Sequence, residues 1–183
     1  MVDTLLANVE TDDLRAILRA TLASCPPSTA SAFTAAARKR LVHLSSRSRP
    51  CTTSLFDLTY DGLAAPTPSL HVFLRRSRAL YGSGMGFTSL RILTDVVRET
   101  LGLRWDLNGE TAVVLAAVDA DISQAYQSAK EELGSGRMAD LNAARAAVQE
   151  LAAAVNESAN DCELWGGDFP FEQALAITDY WKL

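Results

Sequence analysis

Three glycines on alternate positions, Gly82, Gly84 and Gly86, lie in the stretch YGSGMGF near the middle of the chain. Glycine-rich loops that open a helix bind phosphate, because backbone N–H groups and the helix N-terminus favour an anion. The spacing here is G-x-G-x-G, which is neither the G-x-G-x-x-G of dinucleotide-binding loops nor a P-loop. A helix follows at Thr88, but the preceding segment is rich in arginine and suits an exposed helix. The glycines therefore predict a joint between two helices, with an anion cradle as the alternative.

Side chains that could act on a substrate or hold a metal are sparse. His43 and His71 each fall within a helical pattern beside bulky apolar residues, which is typical of a packed or surface histidine. Asp57 and Asp61 have the D-x-x-x-D spacing that places two carboxylates one helical turn apart, as a metal or diphosphate site would need. No companion motif accompanies that pair, and no zinc-ligand spacing, G-x-S-x-G or H-E-x-x-H occurs. We therefore expect no catalytic residue, metal site or cofactor.

Charge is divided unevenly along the chain. The net charge is −5, but residues 1–100 hold 12 Lys/Arg and 8 Asp/Glu, whereas residues 101–183 hold 5 and 14. The two parts can face each other in the fold or stay solvated, or the basic part can bind an acidic partner. The candidates for contacting an acidic protein are Arg75, Arg76 and Arg78. A nucleic-acid-binding face would instead use Arg38, Lys39, Arg40, Arg47 and Arg49.

Five of the thirteen aromatic residues fall in the C-terminal stretch LWGGDFPFEQALAITDYWKL. Aromatic residues close hydrophobic cores, and they are also enriched at the centres of protein interfaces. The stretch therefore predicts either a last helix docked on the core or an anchor for another protein. The candidate partner-binding residues are Trp165, Phe169, Phe171, Tyr180 and Trp181.

The elements that must position these residues are predicted to be helices. Alanine and leucine dominate and aromatic residues make up 7% of the chain, which favours an all-α fold over a β-sandwich. Thr11 is the predicted N-cap of a helix that ends before Pro26, and a second helix runs from about Thr29 to Leu44. The segment LFDLTYDGL is predicted to be a turn or short helix, because no second strand is evident to pair with it. Further helices follow over LHVFLRRSRALY and from Thr88 to Leu101.

The clearest pattern is a pair of long helices joined by GSGR, over about residues 110–158. So short a linker predicts an antiparallel helical hairpin, whose alanine-rich stripes we expect to face each other. A C-terminal aromatic helix, with Asp168 as its N-cap, completes a single-domain bundle of about six or seven helices. Its N-terminal part, about residues 1–105, is basic, and the hairpin and tail, about residues 106–183, are acidic.

The sequence also predicts the compartment of the protein and the state of its cysteines. The first residues carry acid where a signal peptide would carry base, and no apolar stretch approaches the ~20 residues of a membrane span. We therefore expect a cytoplasmic or nuclear protein without membrane contact. Cys25, Cys51 and Cys162 lie far apart in the sequence, which predicts reduced thiols that bind no metal.

These observations favour a non-catalytic protein–protein interaction module, an adaptor or small subunit of a larger intracellular assembly. One alternative is a nucleic-acid or chromatin-associated accessory factor that uses the basic face. A second alternative is an all-α enzyme or small-ligand binder with a pocket inside the bundle. The alanine-rich hairpin can pack within its own bundle or against a second copy of the chain, so the sequence also allows a homo-oligomer.

Overall fold

A computed structural model describes residues 2–47 and 54–181, without the side chains of residues 45–47. The described residues form eight helices and one two-stranded sheet, so the prediction of an all-α fold is confirmed. The chain divides into two compact units, residues 1–44 and 45–183. Within the described ranges, no helix is long and apolar enough to cross a membrane.

The first unit contains α1 (Val2–Asn8), α2 (Thr11–Ser24) and most of α3 (Pro27–Arg47). Glu10 is the N-cap residue of α2 and its side chain makes no capping hydrogen bond, so Thr11 is the first helical residue and not the cap that the sequence predicts. Asp12 and Asp13 lie in the first turn of α2, where the helix dipole favours negative charge. Pro27 opens α3, where its missing N–H and fixed φ suit the first helical position.

The second unit begins with an antiparallel hairpin of β1 (Phe56–Leu58) and β2 (Ala64–Pro66). The prediction of a turn or short helix over LFDLTYDGL is therefore wrong. Gly62 has a φ of 78° in the connecting turn, a conformation that favours glycine. The Ala-Ala-Pro sequence of β2 has a low strand propensity, and contacts distant in sequence hold it instead. Its Ala64 N–H donates to the Arg104 carbonyl at 2.7 Å, and the Thr111 hydroxyl donates to the Ala64 carbonyl at 2.6 Å.

Five helices complete the second unit: α4 (Pro68–Gly82), α5 (Gly86–Glu99), α6 (Glu110–Gly134), α7 (Leu141–Trp165) and α8 (Glu172–Tyr180). Helix α5 lies at the centre of this unit and packs on α4, α6 and α7. Its apolar residues recur at helical spacing, and Leu90, Leu93, Val96 and Val97 are fully buried. The core of the unit is therefore built around α5.

The two long helices expected over about residues 110–158 are α6 and α7. Their alanine-rich stripes do not face each other as the sequence predicts. Each packs extensively on α5 and on α8, whereas direct contact between α6 and α7 is slight. The fully buried Val118 and Ile122 of α6 and Val155 of α7 belong to the core that surrounds α5. Gly86, at the start of α5, lies directly against the backbone of Ala129, so α5 and α6 approach closely at this point.

Candidate functional site

Apolar side chains on the first unit are left uncovered. No described side chain of α1, α2 or α3 is buried. Eight of the sixteen large exposed apolar side chains in the described residues lie within residues 2–44, with exposed fractions from 37% to 70%. They are Val2, Leu5, Leu6, Ile17, Leu18, Phe33, Val42 and Leu44. The apolar residues of this unit therefore do not form a buried core within the described chain.

Several of the exposed side chains share a helix face, whereas Val42 lies on the side of α3 opposite to Phe33. In α2, Ile17 and Leu18 follow Leu14 at helical spacing, so these residues share one side of the helix. In α3, Phe33 and Leu44 also share one side, and both are 44% exposed. The spacing of these stripes is visible in the sequence, but the sequence alone does not show that they stay uncovered.

Charge is sorted within the same unit. Residues 1–13 contain four acidic residues and no base, whereas residues 15–44 contain five bases and no acid. Asp12 and Arg15 form an exposed ion pair at 2.6 Å. This pair joins the acidic residues of the start of the unit to the basic residues that follow them. Lys39 and Arg40 near the end of α3 are exposed. The first unit therefore presents an acidic start and a basic end.

Only part of the candidate nucleic-acid face is described. Arg38 is half-buried, and Lys39 and Arg40 are exposed on the same turn of α3. Consecutive residues of a helix point about 100° apart, so these three side chains spread around the helix. The side chain of Arg47 and all of Arg49 lie outside the described residues. Arg38, Lys39 and Arg40, the three described bases, are therefore not gathered on one face.

Within the arginine triplet of α4, Arg78 binds a buried carboxylate, although its own side chain is 46% exposed. The Arg78 Nη2 atom lies 2.8 Å from a carboxylate oxygen of Asp121 on α6, and its Nε donates to both oxygens at 2.9 and 3.0 Å. The Tyr81 hydroxyl donates to the same carboxylate at 3.0 Å. Hydrogen bonds to Asp121 raise the pKa of Arg78, and burial raises the pKa of Tyr81. Arg75 and Arg76 are exposed on the same helix.

The glycine stretch forms the joint between α4 and α5. Gly84 has a φ of 82°, which favours glycine, and Gly86 begins α5. A Cβ atom at Gly86 would lie 2.1 Å from the backbone nitrogen of Ala129, so only glycine allows this approach of α5 to α6. The Phe87 N–H donates to the Glu132 carboxylate at 3.2 Å. A carboxylate of α6 therefore already occupies the helix N-terminus that an anion cradle would offer.

The first aromatic residues of the tail pack within the second unit. The Trp165 ring meets Trp105 edge to face at a centroid distance of 5.2 Å, and the Arg104 guanidinium lies 5.2 Å from the Trp165 centroid. Phe169 packs edge to face on Phe171 at 5.9 Å, and Phe171 is fully buried. Phe171 is inaccessible to a partner while α8 is docked.

The last two aromatic residues of the tail have opposite environments. The Trp181 ring stacks on Phe87 at 5.8 Å and meets Tyr126 edge to face at 4.5 Å. Tyr180, its neighbour, is 88% exposed and makes no described ring contact. Of the five candidate aromatic residues in the tail, Tyr180 is the one that faces solvent most fully.

A buried carboxylate of α6 caps α8. Asp119 is 5% exposed, and it accepts hydrogen bonds from the backbone N–H groups of Gln173 at 3.1 Å and Ala174 at 2.8 Å. The N-cap position of α8 is Phe171, so the prediction of Asp168 as the cap is wrong. Asp119 performs that role from another helix. Burial raises the pKa of Asp119, and the two backbone donors partly offset that shift.

An open groove of about 270 Å³ lies between the β-hairpin and the start of α6. Three of its lining residues are acidic, Asp61, Asp106 and Glu110, and the fully exposed Tyr60 is at its edge. The Thr59 hydroxyl donates to Asp61, and this bond lowers the pKa of that carboxyl group. Asp57 and His71 do not line the groove. No group of three His, Cys, Asp or Glu side chains in the described residues could hold a metal ion.

Two of the three cysteines are described, and both are free thiols. Cys25 is half-buried and Cys162 is buried, and burial raises the pKa of the Cys162 thiol. The buried Trp165 Nε1 has no conventional hydrogen-bond acceptor, and the Cys162 sulfur, a weak acceptor, interacts with the same side chain. Cys51 lies outside the described residues.

No family model, curated protein or solved structure matches this chain. Its own surfaces are therefore the basis for assigning a function. The described residues offer two contrasting features: exposed apolar side chains on the first unit, and a second unit whose buried carboxylates, Asp119 and Asp121, are both hydrogen-bonded to other helices.

Proposed function

We propose that this protein is a non-catalytic protein–protein interaction module, an adaptor or small subunit of a larger assembly. The observation that carries this proposal is the first unit, in which three helices bury no described side chain and expose eight large apolar ones. A contiguous exposed apolar surface marks a site where another molecule binds, and Ile17 and Leu18 extend the apolar stripe of Leu14 on α2.

Helix stability supports the proposal. In water, most of the stability of a protein helix comes from packing an amphipathic face, and short isolated helices are marginal. Helix α1 has 7 residues and α2 has 14, and neither has a buried residue. A partner that covered Ile17, Leu18 and Phe33 would supply the packing that these helices lack within the described chain.

The second unit has the internal contacts of a stable folded body. Its buried charged groups are used in structural contacts: Asp121 with Arg78, and Asp119 with the N-terminus of α8. Arg104 and Asp161 form a further ion pair at 3.0 Å. These contacts join α4 to α6, α6 to α8, and the loop before α6 to α7, which gives the unit a defined shape.

The test is affinity purification of the tagged full chain from its native cells, compared with the Ile17→Glu variant. The control is Ala16→Glu, which adds the same charge to the adjacent exposed position, away from the apolar stripe of α2. We expect proteins that co-purify stoichiometrically with the wild type and with Ala16→Glu, survive nuclease treatment and are lost with Ile17→Glu.

Two results would contradict the proposal. Co-purified proteins that Ile17→Glu retains in full would show that the apolar stripe of α2 is not the binding surface. Partners that vanish with nuclease would favour nucleic-acid binding through exposed bases such as Lys39 and Arg40 instead.

A further inference from the structure

The open groove between the β-hairpin and the start of α6 is a second candidate surface, separate from the first unit. We propose that this groove binds an extended basic segment of another protein, whose arginine or lysine side chains meet the carboxylates that line it. All residues of the groove belong to the second unit. The inference therefore goes beyond the function proposed for the first unit and does not depend on it.

Both walls of the groove are held by hydrogen bonds of the folded chain. In the hairpin, the Thr59 N–H donates to the Leu63 carbonyl at 2.8 Å across the connecting turn. The Thr111 hydroxyl of α6 donates to the Ala64 carbonyl at 2.6 Å, and this bond joins the two walls. The groove is thus formed by the fold itself, so binding requires little ordering of these residues, which lowers the cost of association.

The groove is acidic, and its walls supply no opposite charge. Asp61, Asp106 and Glu110 line it and are exposed, and none of the ion pairs among the described residues includes them. The segments that contribute the walls, residues 54–74 and 105–129, contain no lysine or arginine. A basic partner is therefore complementary in charge to this surface, and complementarity of this kind selects and steers partners.

The lining of the groove favours a peptide over a small cation. No three acidic, histidine or cysteine side chains of the described residues could hold a metal ion, so the carboxylates do not form a single ion site. Leu63, Ala65 and Pro66 add apolar lining, and Tyr60 is fully exposed at the edge. Arginine and lysine place their apolar stems on such surface while the charged end reaches a carboxylate, and an aromatic ring attracts the same cations.

The size and the borders of the groove also suit a segment of chain. Its volume of about 270 Å³ lies below the roughly 300–1,000 Å³ of small-molecule sites. Exposed apolar side chains continue beside it. Leu107, which follows Asp106, is 41% exposed, and Val113 is 68% exposed one helical turn after Glu110 on the same side of α6. We therefore expect the partner segment to carry apolar side chains as well as basic ones.

The experiment is selection of short peptides from a random displayed library on the purified full chain. The groove variant carries Asp106→Asn with Glu110→Gln, which removes two charges but keeps the size of each side chain and an oxygen that accepts hydrogen bonds. The matched control carries Glu99→Gln with Glu157→Gln, which removes the same charge from exposed positions outside the groove. Circular dichroism and tryptophan fluorescence check that each variant is folded.

We expect the wild type and the control variant to select peptides enriched in arginine or lysine together with apolar residues. The most enriched peptide, synthesised with a fluorescent label, should bind the groove variant about tenfold more weakly than the wild type, as the loss of two exposed ion pairs implies. Raised salt should weaken its binding to the wild type. Spermine, a polycation without apolar side chains, should compete only at concentrations at least about tenfold above those of the unlabelled peptide.

Three results would overturn the peptide site: a selection without enrichment in basic residues, an enriched basic peptide that binds the groove variant as tightly as the wild type, or spermine that competes as well as the peptide. The last result would show that the groove binds a polycation through charge alone. None of these variants changes the first unit, so failure here leaves the proposed function standing. Retention of co-purified proteins by Ile17→Glu would contradict the proposed function and leave the groove untouched.

Discussion

Replacing Gly86 with alanine tests the helix joint that organises the second unit. The added Cβ would lie 2.1 Å from the nitrogen and 2.5 Å from the Cα of Ala129, and 2.6 Å from the carbonyl carbon of Ser128. Carbon atoms in contact ordinarily lie about 3.5–4.0 Å apart, so α5 and α6 must separate by roughly 1 Å or more. All three obstructing atoms belong to the backbone of α6, which cannot move aside as a flexible side chain can.

The expected loss follows from that obstruction. Overpacking a core costs about 1–3 kcal/mol and occasionally more, and a backbone obstruction belongs at the upper end of that range. We therefore expect Gly86→Ala to lower the free energy of unfolding by about 3 kcal/mol. The same displacement would strain the contact between Phe87 N–H and Glu132.

Two neighbouring glycines provide matched controls. Gly82 lies in the last turn of α4 with no atom within 4 Å of its Cβ position, so Gly82→Ala should raise the free energy of unfolding by about 0.5–1 kcal/mol. Gly84 has a φ of 82°, which an alanine adopts only with strain, so Gly84→Ala should lower the free energy of unfolding by about 1–2 kcal/mol.

The assay is urea unfolding followed by tryptophan fluorescence, which reports the second unit because all three tryptophans lie there. The predicted order of stability is Gly82→Ala, wild type, Gly84→Ala and Gly86→Ala. A Gly86→Ala protein within about 0.5 kcal/mol of the wild type, the range of a neutral surface change, would refute the close approach of α5 to α6.

Three further predictions concern the polar and aromatic contacts of the second unit. Arg78→Met leaves the buried Asp121 carboxylate without its ion pair, so it should cost about 1–3 kcal/mol in urea unfolding. Arg75→Met, which removes an exposed arginine of the same helix, should stay within about 0.5 kcal/mol, and equal effects would contradict the ion pair of Arg78 with Asp121. Trp181→Ala removes the ring contacts with Phe87 and Tyr126 and should lower stability by about 2 kcal/mol, while Tyr180→Ala should be neutral in the same measurement; a destabilising Tyr180→Ala would contradict its exposure. Because burial raises the folded-state pKa of Asp119, the wild type gains stability from protonation of this group at low pH and loses it as the pH rises through that pKa. Unfolding at a series of pH values should therefore move the stability difference between wild type and Asp119→Asn in favour of the wild type as the pH falls from neutrality towards 3.8, and a shift in the opposite direction would contradict the raised pKa.

Helices were the most predictable part of this fold. The periodic leucines and valines of α5 and the long patterns of α6 and α7 give each helix a buried face, and that signal is local in sequence. The hairpin was not predictable, because Ala64–Pro66 has little strand propensity and depends on Arg104 and Thr111, which lie far along the chain.

The contacts of the candidate residues were also hard to predict, because they join residues that are distant in the sequence. The ion pair between Arg78 and Asp121 joins residues on different helices, so no spacing rule reveals that one arginine of the triplet binds a buried carboxylate. Asp119 caps α8 from another helix for the same reason, where a local cap at Asp168 was expected. The apolar stripes of α2 and α3 were visible as patterns, but exposure depends on what the rest of the chain leaves uncovered.

Amide hydrogen exchange on the full chain measures the stability of each helix separately. It therefore shows whether α1–α3 lack a core of their own and gain stability from a binding partner. At low protein concentration, we predict strong protection for the backbone N–H groups of α5 and α6 and weak protection for those of α2 and α3, with protection of α2 and α3 rising when their apolar faces are occupied. If α2 and α3 are as protected as α5 at the lowest concentration, and Ile17→Glu leaves that protection unchanged, the apolar faces need no partner and the account is contradicted.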